Sequence, residues 1–457
     1  MTLKYNINKL ENIKNYINES LNNDLEDIKQ KGQVFTPFEI IEYMVNTFEK
    51  QYNKNNKIKL FEDENIKWLD NSVGCGNFML YIYYKLLIGL KIKIPNFINR
   101  KRHILENMLY MVDIDEKTIN KCKEIFNNSK YKMNIQCGNS ITLNYKDTFL
   151  CDKYDIIIGN PPYQKNNNKN NRARGGINNN LYLDFINFNL ELLKHNGYLV
   201  YIHPQNWRKI DEPILNKFLN RNLIHLSLNY GSRLFKTVSV NTDFYILKNN
   251  TTIKLETDII NYDDKNNIIS QININIPKIN FLPNIITENL INIINKINTY
   301  GENRICLINS DCHKVRKHVN KGKTEIFKYA LYNTSGNPYL YFSSRPHKDQ
   351  YKNKIIMSCS GKLKPFYDEG TLGTTQDSMY FLVNNKKEGL FLVNILNSSL
   401  YTYLLKVCSW SNFRNEPKLL SYLKYPKYNE VDNIIINDDY ISKYFNLTKS
   451  EIEIIKK

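Results

Sequence analysis

The sequence of 457 residues has no CxxC pair, and its eight cysteines are scattered at positions 75, 122, 137, 151, 306, 312, 359 and 408. That spacing speaks against a zinc ribbon or a disulfide framework, and reduced thiols are expected. Cys312, His313 and His318 come nearest to a metal cluster but lack a second ligand pair, so no metal is expected. Signal-peptide character is missing too: the start, MTLKYNINKLENIK, has no apolar core, and no run of about 18 uncharged apolar residues occurs anywhere. The expectation is a soluble protein of the cytoplasm, a host's if the source is viral, with no membrane partner. Acids are in short supply, with 45 Asp and Glu against 63 Lys and Arg and a net charge of +18. A polyanionic partner suits that balance, and nucleic acid is the commonest one. What the sequence does hold is apolar and aromatic mass, 42% hydrophobic residues with 33 tyrosines, enough for a globular chain of about two or three domains.

Residues 154–163, YDIIIGNPPY, are the stretch around which the rest is ordered. Ile156, Ile157 and Ile158 read as a buried central strand of a parallel sheet that stops at Gly159 and two prolines. In open α/β sheets ligands sit outside the carboxyl ends of the strands, and Asn160, Pro161, Pro162 and Tyr163 bring a rigid turn, an amide and an aromatic face to that place. A plain β-turn with a hydrogen-bonding Asn is the competing reading of these four residues alone. NPPY after a hydrophobic strand resembles motif IV of the amino-group methyltransferases that use S-adenosylmethionine, above all the DNA adenine-N6 enzymes. The chemistry behind the motif is specific. An exocyclic amine conjugated to an aromatic ring is a poor nucleophile, and two placed acceptors must draw its lone pair out of conjugation. The resemblance implies that Asn160 Oδ1 and the Pro161 carbonyl are those acceptors and that Tyr163 stacks on a flipped base.

Upstream, residues 1–30 read as a polar helical lead-in with Leu10, Ile13, Ile17 and Leu21 at spacings of three and four. In residues 31–45, KGQVFTPFEIIEYMV, Thr36 reads as an N-cap, Pro37 as the first helical residue and Glu39 as the third. This resembles motif X, whose Thr-Pro helps hold the cofactor's methionine carboxylate. Residues 66–77, IKWLDNSVGCGN, form a short strand and a Gly-rich turn into a helix, where Gly74 and Gly76 permit close backbone approach to a ligand. They resemble motif I through Asp70, Gly74, Gly76, Asn77 and Phe78, with Asn71 where proline is usual and Cys75 where Ser or Thr is usual. The strand NMLYMVDID at 107–115 ends in acids; Asp113 resembles the motif II residue that bridges the ribose hydroxyls, while Asp115 reads as a helix cap. After a third strand at 132–137, Asn139 stands where the family carries Asp for the cofactor's adenine, and an amide carbonyl can accept the same bond.

Residues 164–180, QKNNNKNNRARGGINNN, cannot bury a core and read either as a mobile loop or as one that orders on phosphates through Lys165, Arg172 and Arg174. A helix is expected at 181–193, strands at 197–203 and 223–229, and a helix between them at 213–219. Residues 231–247, GSRLFKTVSVNTDFYIL, resemble motif VIII, whose aromatic residue, here Phe235, packs on the base face opposite Tyr163; a core Phe at a strand start is the plainer reading. Beyond 250, strands alternate at 251–280, a helix is expected at 281–297, and basic loops carry interleaved aromatics. Lys314, Arg316, Lys317, Arg345 and Arg414 are the cations there that suit phosphate contact.

The motifs come in the order X, I, II, III, IV, VIII with a basic region after them, which resembles the γ group of DNA adenine-N6 methyltransferases of the Taq type, as found in restriction-modification systems. The resemblance implies an α/β fold: a doubly wound, Rossmann-like, seven-stranded sheet with the last strand antiparallel, over 31–250, followed by an α+β target-recognition domain over 251–457. It also implies S-adenosylmethionine as cofactor, double-stranded DNA as substrate, and direct methyl transfer to a flipped adenine N6 with no covalent intermediate. RNA adenine, cytosine N4 and a protein glutamine are alternative acceptors, and a catalytically inactive DNA-binding specificity protein is the rival of another class. No nuclease signature is present, so a restriction partner would be a separate endonuclease.

Overall fold

The computed structural model describes residues 7–23, 36–126, 130–163, 180–231, 234–235, 241–251, 255–299, 308–309, 318–334, 341–360, 362–410, 416–428 and 435–456. The chain divides into two compact units, Met1–Trp207 with Glu212–Lys278, and Arg208–Asp211 with Ile279–Lys457.

The first unit is built on strands β1 (Trp68–Asp70), β2 (Leu109–Asp113), β3 (Asn134–Cys137), β4 (Tyr154–Gly159), β5 (Leu193–Pro204), β6 (Asn222–Leu228), β7 (Thr242–Lys248), β8 (Thr257–Tyr262) and β9 (Ile268–Ile274). They form one mixed sheet in the order β3-β2-β1-β4-β5-β7-β6-β8-β9. β1 pairs in parallel with both β2 and β4, and β4 with β5, whereas β7 runs antiparallel between β5 and β6. The continuous Ile156–Ile158 run is fully buried, which a strand covered on both faces requires. Helix α1 (Leu10–Asn23) turns Ile13 and Ile17 into the core, and α2 (Phe38–Asn55) does the same with Phe38, Ile40, Ile41, Met44, Val45 and Phe48. Helix α3 (Asn77–Gly89), NFMLYIYYKLLIG, is apolar around most of its circumference and is accordingly buried along most of its length.

Among the described residues the sheet has nine strands, not the seven expected. β8 adds in parallel to β6, and β9 adds antiparallel to β8. A polar chain ties the addition in. His225 on β6 lies 2.9 Å from Ser227 Oγ through Nε2 and 3.6 Å from Asp258 of β8 through Nδ1. Gln51 of α2 donates to Asp258 at 3.0 Å, and the Tyr43 hydroxyl lies 2.9 Å from Ser227 Oγ and 2.8 Å from the Tyr262 hydroxyl. The strands expected past residue 250 therefore belong to this sheet, and the first unit reaches Lys278.

The second unit holds two four-stranded sheets, with the strand sets 308–309, 378–382, 354–358, 366–368 and 319–320, 341–343, 329–332, 373–374. Its buried Lys354 pairs with Asp368 at 2.8 Å, and Asp368 also accepts from the amides of Gly370, Thr371 and Leu372. The helix expected at 281–297 begins only at Glu288, where Thr287 caps it by accepting from the Leu290 amide; Pro283 belongs to the preceding non-helical stretch. The apolar segment near 391–409 is two helices, Lys386–Leu396 and Ser399–Val407, bent by 56°. Among the described residues no single helix is long and apolar enough to cross a membrane.

Candidate active site

Parallel register brings the carboxyl ends of β1, β2 and β4 to one edge, carrying Asp70, Asp113 and Gly159 there. Gly159 is needed for close approach. A Cβ at that position would lie 2.9 Å from Asp70 Oδ1 and 3.4 Å from Ser72 Oγ. Asp70 is 1% exposed and accepts from the Ser72 amide at 3.0 Å. Burial pushes its carboxyl up to about 8, and the charge of Asp113 adds to the shift against the pull of the Ser72 amide.

The turn between β1 and α3 keeps Gly74 at φ 51° and Gly76 at φ 86°, the left-handed region that disfavours side chains. At Gly76 a Cβ would also come within 3.1 Å of Cys122 Sγ. Asp113 holds this turn: its Oδ2 accepts from the Gly74 amide at 2.8 Å and its Oδ1 from the Asp115 amide at 3.0 Å. Burial raises the Asp113 pKa as well. Asp115 caps helix α4 (Glu116–Ile125) by accepting from the Lys117 amide at 2.9 Å. Asn77 opens α3 with its side chain 5% exposed and its Oδ1 buried without a hydrogen-bond partner among the described residues. A glycine cradle at a helix start offers amide N–H groups to a ligand's anionic part, while a buried acceptor on the first helical residue and a buried carboxylate suit its donors and its positive charge.

Asn160 stands directly past β4. Its Nδ2 donates to Thr36 Oγ1 at 3.2 Å, and its backbone carbonyl accepts from Ser72 Oγ at 3.4 Å. Thr36 is not the N-cap expected. The helix starts at Phe38 with Pro37 in the cap position and no side-chain cap bond, and the Thr36 hydroxyl, one residue further out, accepts from Asn160. With Thr36 on Nδ2, the carbonyl end of the Asn160 amide is fixed by exclusion. Tyr163 is 8% exposed, burial pushes its phenol pKa up, and its carbonyl accepts from the Leu181 amide at 3.1 Å at the start of helix α5 (Leu181–Leu192). Pro161 and Pro162 lie between these two anchors.

The remaining expected residues are placed as follows. Phe235 is 3% exposed and belongs to the same hydrophobic core as Ile40 and Ile202, all three close to Gly231. Asn139 is exposed, but its Oδ1 accepts from the Ile141 amide at 3.1 Å, an Asx turn of its own loop. Arg345 is exposed. Lys165, Arg172, Arg174, Lys314, Arg316, Lys317 and Arg414 lie outside the described residues. Two neighbours of the site were not read from the sequence. Ser72 bonds both Asp70 and Asn160 from a position with no local signature, and Ile114, beside Asp113, is an apolar side chain 70% exposed. An isoleucine inside an acidic DID tripeptide was the available hint for the second.

Comparison with known proteins bears on this arrangement. By structure, the chain is similar to a nuclease-deletion mutant of the Type ISP restriction-modification enzyme LlaGI, in complex with a DNA substrate mimic, at 13% identity and a TM-score of 0.58 over 88% of this chain and 54% of that one. It is similar to DrdV from a DNA complex at 11% identity and a TM-score of 0.55 over 91% of this chain and 58% of that one. The Type IIL restriction-modification enzyme MmeI, in complex with DNA, aligns at 10% identity and a TM-score of 0.53 over 93% of this chain and 68% of that one. At such identities the likeness concerns the fold, and the chain spans little more than half of LlaGI and DrdV. None of the curated proteins matches in sequence. The sequence profile of one family does match, over residues 4–235, more than half of the chain and inclusive of the strand ends, the glycine turn and Asn160. On that match the chain belongs to the Eco57I restriction-modification methylase family.

Proposed function

We propose that the chain is a site-specific DNA methyltransferase of the γ, NPPY type that transfers a methyl group from S-adenosylmethionine to N6 of an adenine flipped out of double-stranded DNA. The observation that carries the reading is Asn160 at the end of β4, its side-chain amide held by Thr36 and its main-chain carbonyl by Ser72, next to a glycine turn with a buried carboxylate. S-adenosylmethionine supplies an electrophilic methyl on a cationic sulfur. Asp70, Gly74, Gly76, Asn77 and Asp113 would hold it, and Asp70 gains most from a positive ligand, because burial otherwise keeps its proton on. Asn160 Oδ1 and the Pro161 carbonyl would accept the two N–H bonds of the amine, and Tyr163, with Phe235, would replace the stacking lost on extrusion, worth roughly 1–3 kcal/mol. Asn139 enters this reading exposed, with one lone pair of its side-chain carbonyl taken by the Ile141 amide and the second left to accept from the cofactor's adenine.

DNA as substrate is supported by the net charge of +18 and by the DNA complexes of the fold relatives. In this reading the catalytic part is the first unit and the second is the target-recognition part. The test is nucleoside mass spectrometry of unmethylated DNA, and of RNA in parallel, after incubation with the protein and S-adenosylmethionine. N6-methyladenine in DNA alone, absent with Asn160→Ala, is expected. N4-methylcytosine, methylated RNA or no modified nucleoside in either polymer would overturn the assignment in favour of another amine acceptor or an inactive specificity protein.

A further inference from the structure

Directly after Asp70, the chain places an asparagine whose amide is spent entirely inside the protein. Asn71 Nδ2 donates to Asn189 Oδ1 at 2.6 Å, and Asn71 Oδ1 accepts from the Tyr201 hydroxyl at 3.0 Å and from Asn189 Nδ2 at 3.4 Å. Asn189 Nδ2 also donates to the Tyr201 oxygen, which closes a ring of three side chains. Asn71 is 1% exposed, and Asn189 and Tyr201 are fully buried. The main chain of Asn71 is tied from another direction, its carbonyl accepting from Ser140 Oγ at 2.5 Å; Ser140 is itself 4% exposed.

Three separate segments thus meet on this one residue just past β1: α5 through Asn189, β5 through Tyr201 and the loop after β3 through Ser140. A ring of matched buried donors and acceptors has one good geometry, because any displacement leaves at least one group buried and unmatched. Asn71 sits between Asp70 and the turn of Gly74 and Gly76, so whatever fixes Asn71 fixes where that turn begins. No atom of the ring is exposed enough to meet a ligand, so its action runs through the turn.

We infer that Asn71, Asn189, Tyr201 and Ser140 are positioning residues for the cofactor turn, setting affinity for S-adenosylmethionine without touching it. The inference rests on the cofactor named under the proposed function. Its signature is a split between constants. Misplacing the turn weakens cofactor binding, while the side-chain acceptor of Asn160 stays where Thr36, from outside the turn, holds its amide.

The experiment uses the full chain and three variants, Ser140→Ala, Ser140→Thr and Tyr201→Phe. Calorimetry with S-adenosylmethionine gives Kd, steady-state DNA methylation gives KM and kcat, and thermal unfolding gives Tm. Ser140→Ala and Tyr201→Phe should raise both Kd and KM for S-adenosylmethionine about tenfold, with kcat at saturating cofactor within about twofold of the unaltered chain, and Ser140→Thr, which keeps the hydroxyl, should restore Kd. Should Tyr201→Phe not fold, the Ser140 pair carries the test. A lower Tm with unchanged Kd in Ser140→Ala, or a loss confined to kcat, would overturn the inference, since a purely structural ring predicts the first and a misplaced amine site the second. An unaltered chain that binds no S-adenosylmethionine would refute the proposed function itself, and this inference with it.

Discussion

Replacing Thr36 by Val removes the hydroxyl that receives Asn160 Nδ2 and changes little else in volume at a site 5% exposed. The amide N–H is then left without that acceptor in a buried setting, at a cost of about 1–3 kcal/mol, or it is relieved by rotation of the amide away from the position the amine needs. If that cost falls on the transition state, at about 1.4 kcal/mol per tenfold, kcat drops roughly 5- to 150-fold. Thr36→Ser keeps the hydroxyl and should stay within about threefold of the unaltered rate. Steady-state methylation of DNA, varied in S-adenosylmethionine at saturating DNA, reads kcat and KM separately. The reasoning would be refuted by a higher KM for S-adenosylmethionine at unchanged kcat in Thr36→Val. That pattern belongs to a Thr36 that holds the cofactor's carboxylate, the role its motif implies, and not to one that orients Asn160.

Asp70 gives a pH dependence of definite sign. With its carboxyl raised to about 8 in the folded chain, folding takes up a proton between roughly pH 4 and 8, so this group lowers stability as pH rises through that window. A cationic ligand displaces the proton, so the Kd for S-adenosylmethionine should fall by up to about tenfold per unit between about pH 6 and 8 and level off above. Asp70→Asn should flatten the calorimetric profile, and a flat profile in the unaltered chain would contradict the argument. In the second unit, Lys354→Met leaves the Asp368 carboxylate buried without its cation and should cost about 3–5 kcal/mol of unfolding free energy in urea. Removing Lys386 from its exposed pair with Glu369 should leave the urea midpoint unmoved, and equal losses from the two changes would mean that burial is not what decides.

Elements whose cause is local were legible in the sequence. β4 spans Tyr154–Gly159 as the β-branched run and the prolines demand, helix α6 (Pro213–Leu219) starts on its proline, and Asp115 caps the helix that follows it. Thr36 shows the limit. Its local pattern is that of an N-cap, but a partner 124 residues away engages its hydroxyl, and tertiary bonding prevailed over the local option. The alternation at 257–274 announced strands without announcing their neighbour, because pairing with β6 is a non-local choice. Asn189, on an otherwise apolar face of α5, gives no sign in sequence that its partner is Asn71, 118 residues earlier. The basic positions of the second half were legible as composition, and composition does not say which cations share a face.

The polar chain from Gln51 through Asp258, His225, Ser227 and Tyr43 to Tyr262 bears on how this protein can be taken apart and recombined. A chain ended after residue 250 would lose Asp258 and Tyr262 while keeping buried His225 and Ser227, and it would strip the outer edge of β6 of its hydrogen bonds. If the second unit is the recognition part as proposed, its exchange should therefore join after Lys278, where the first unit closes, and a hybrid joined at 250 should be recovered insoluble while one joined at 278 is recovered folded. The two added strands belong to the part that is kept, not to the part that is swapped.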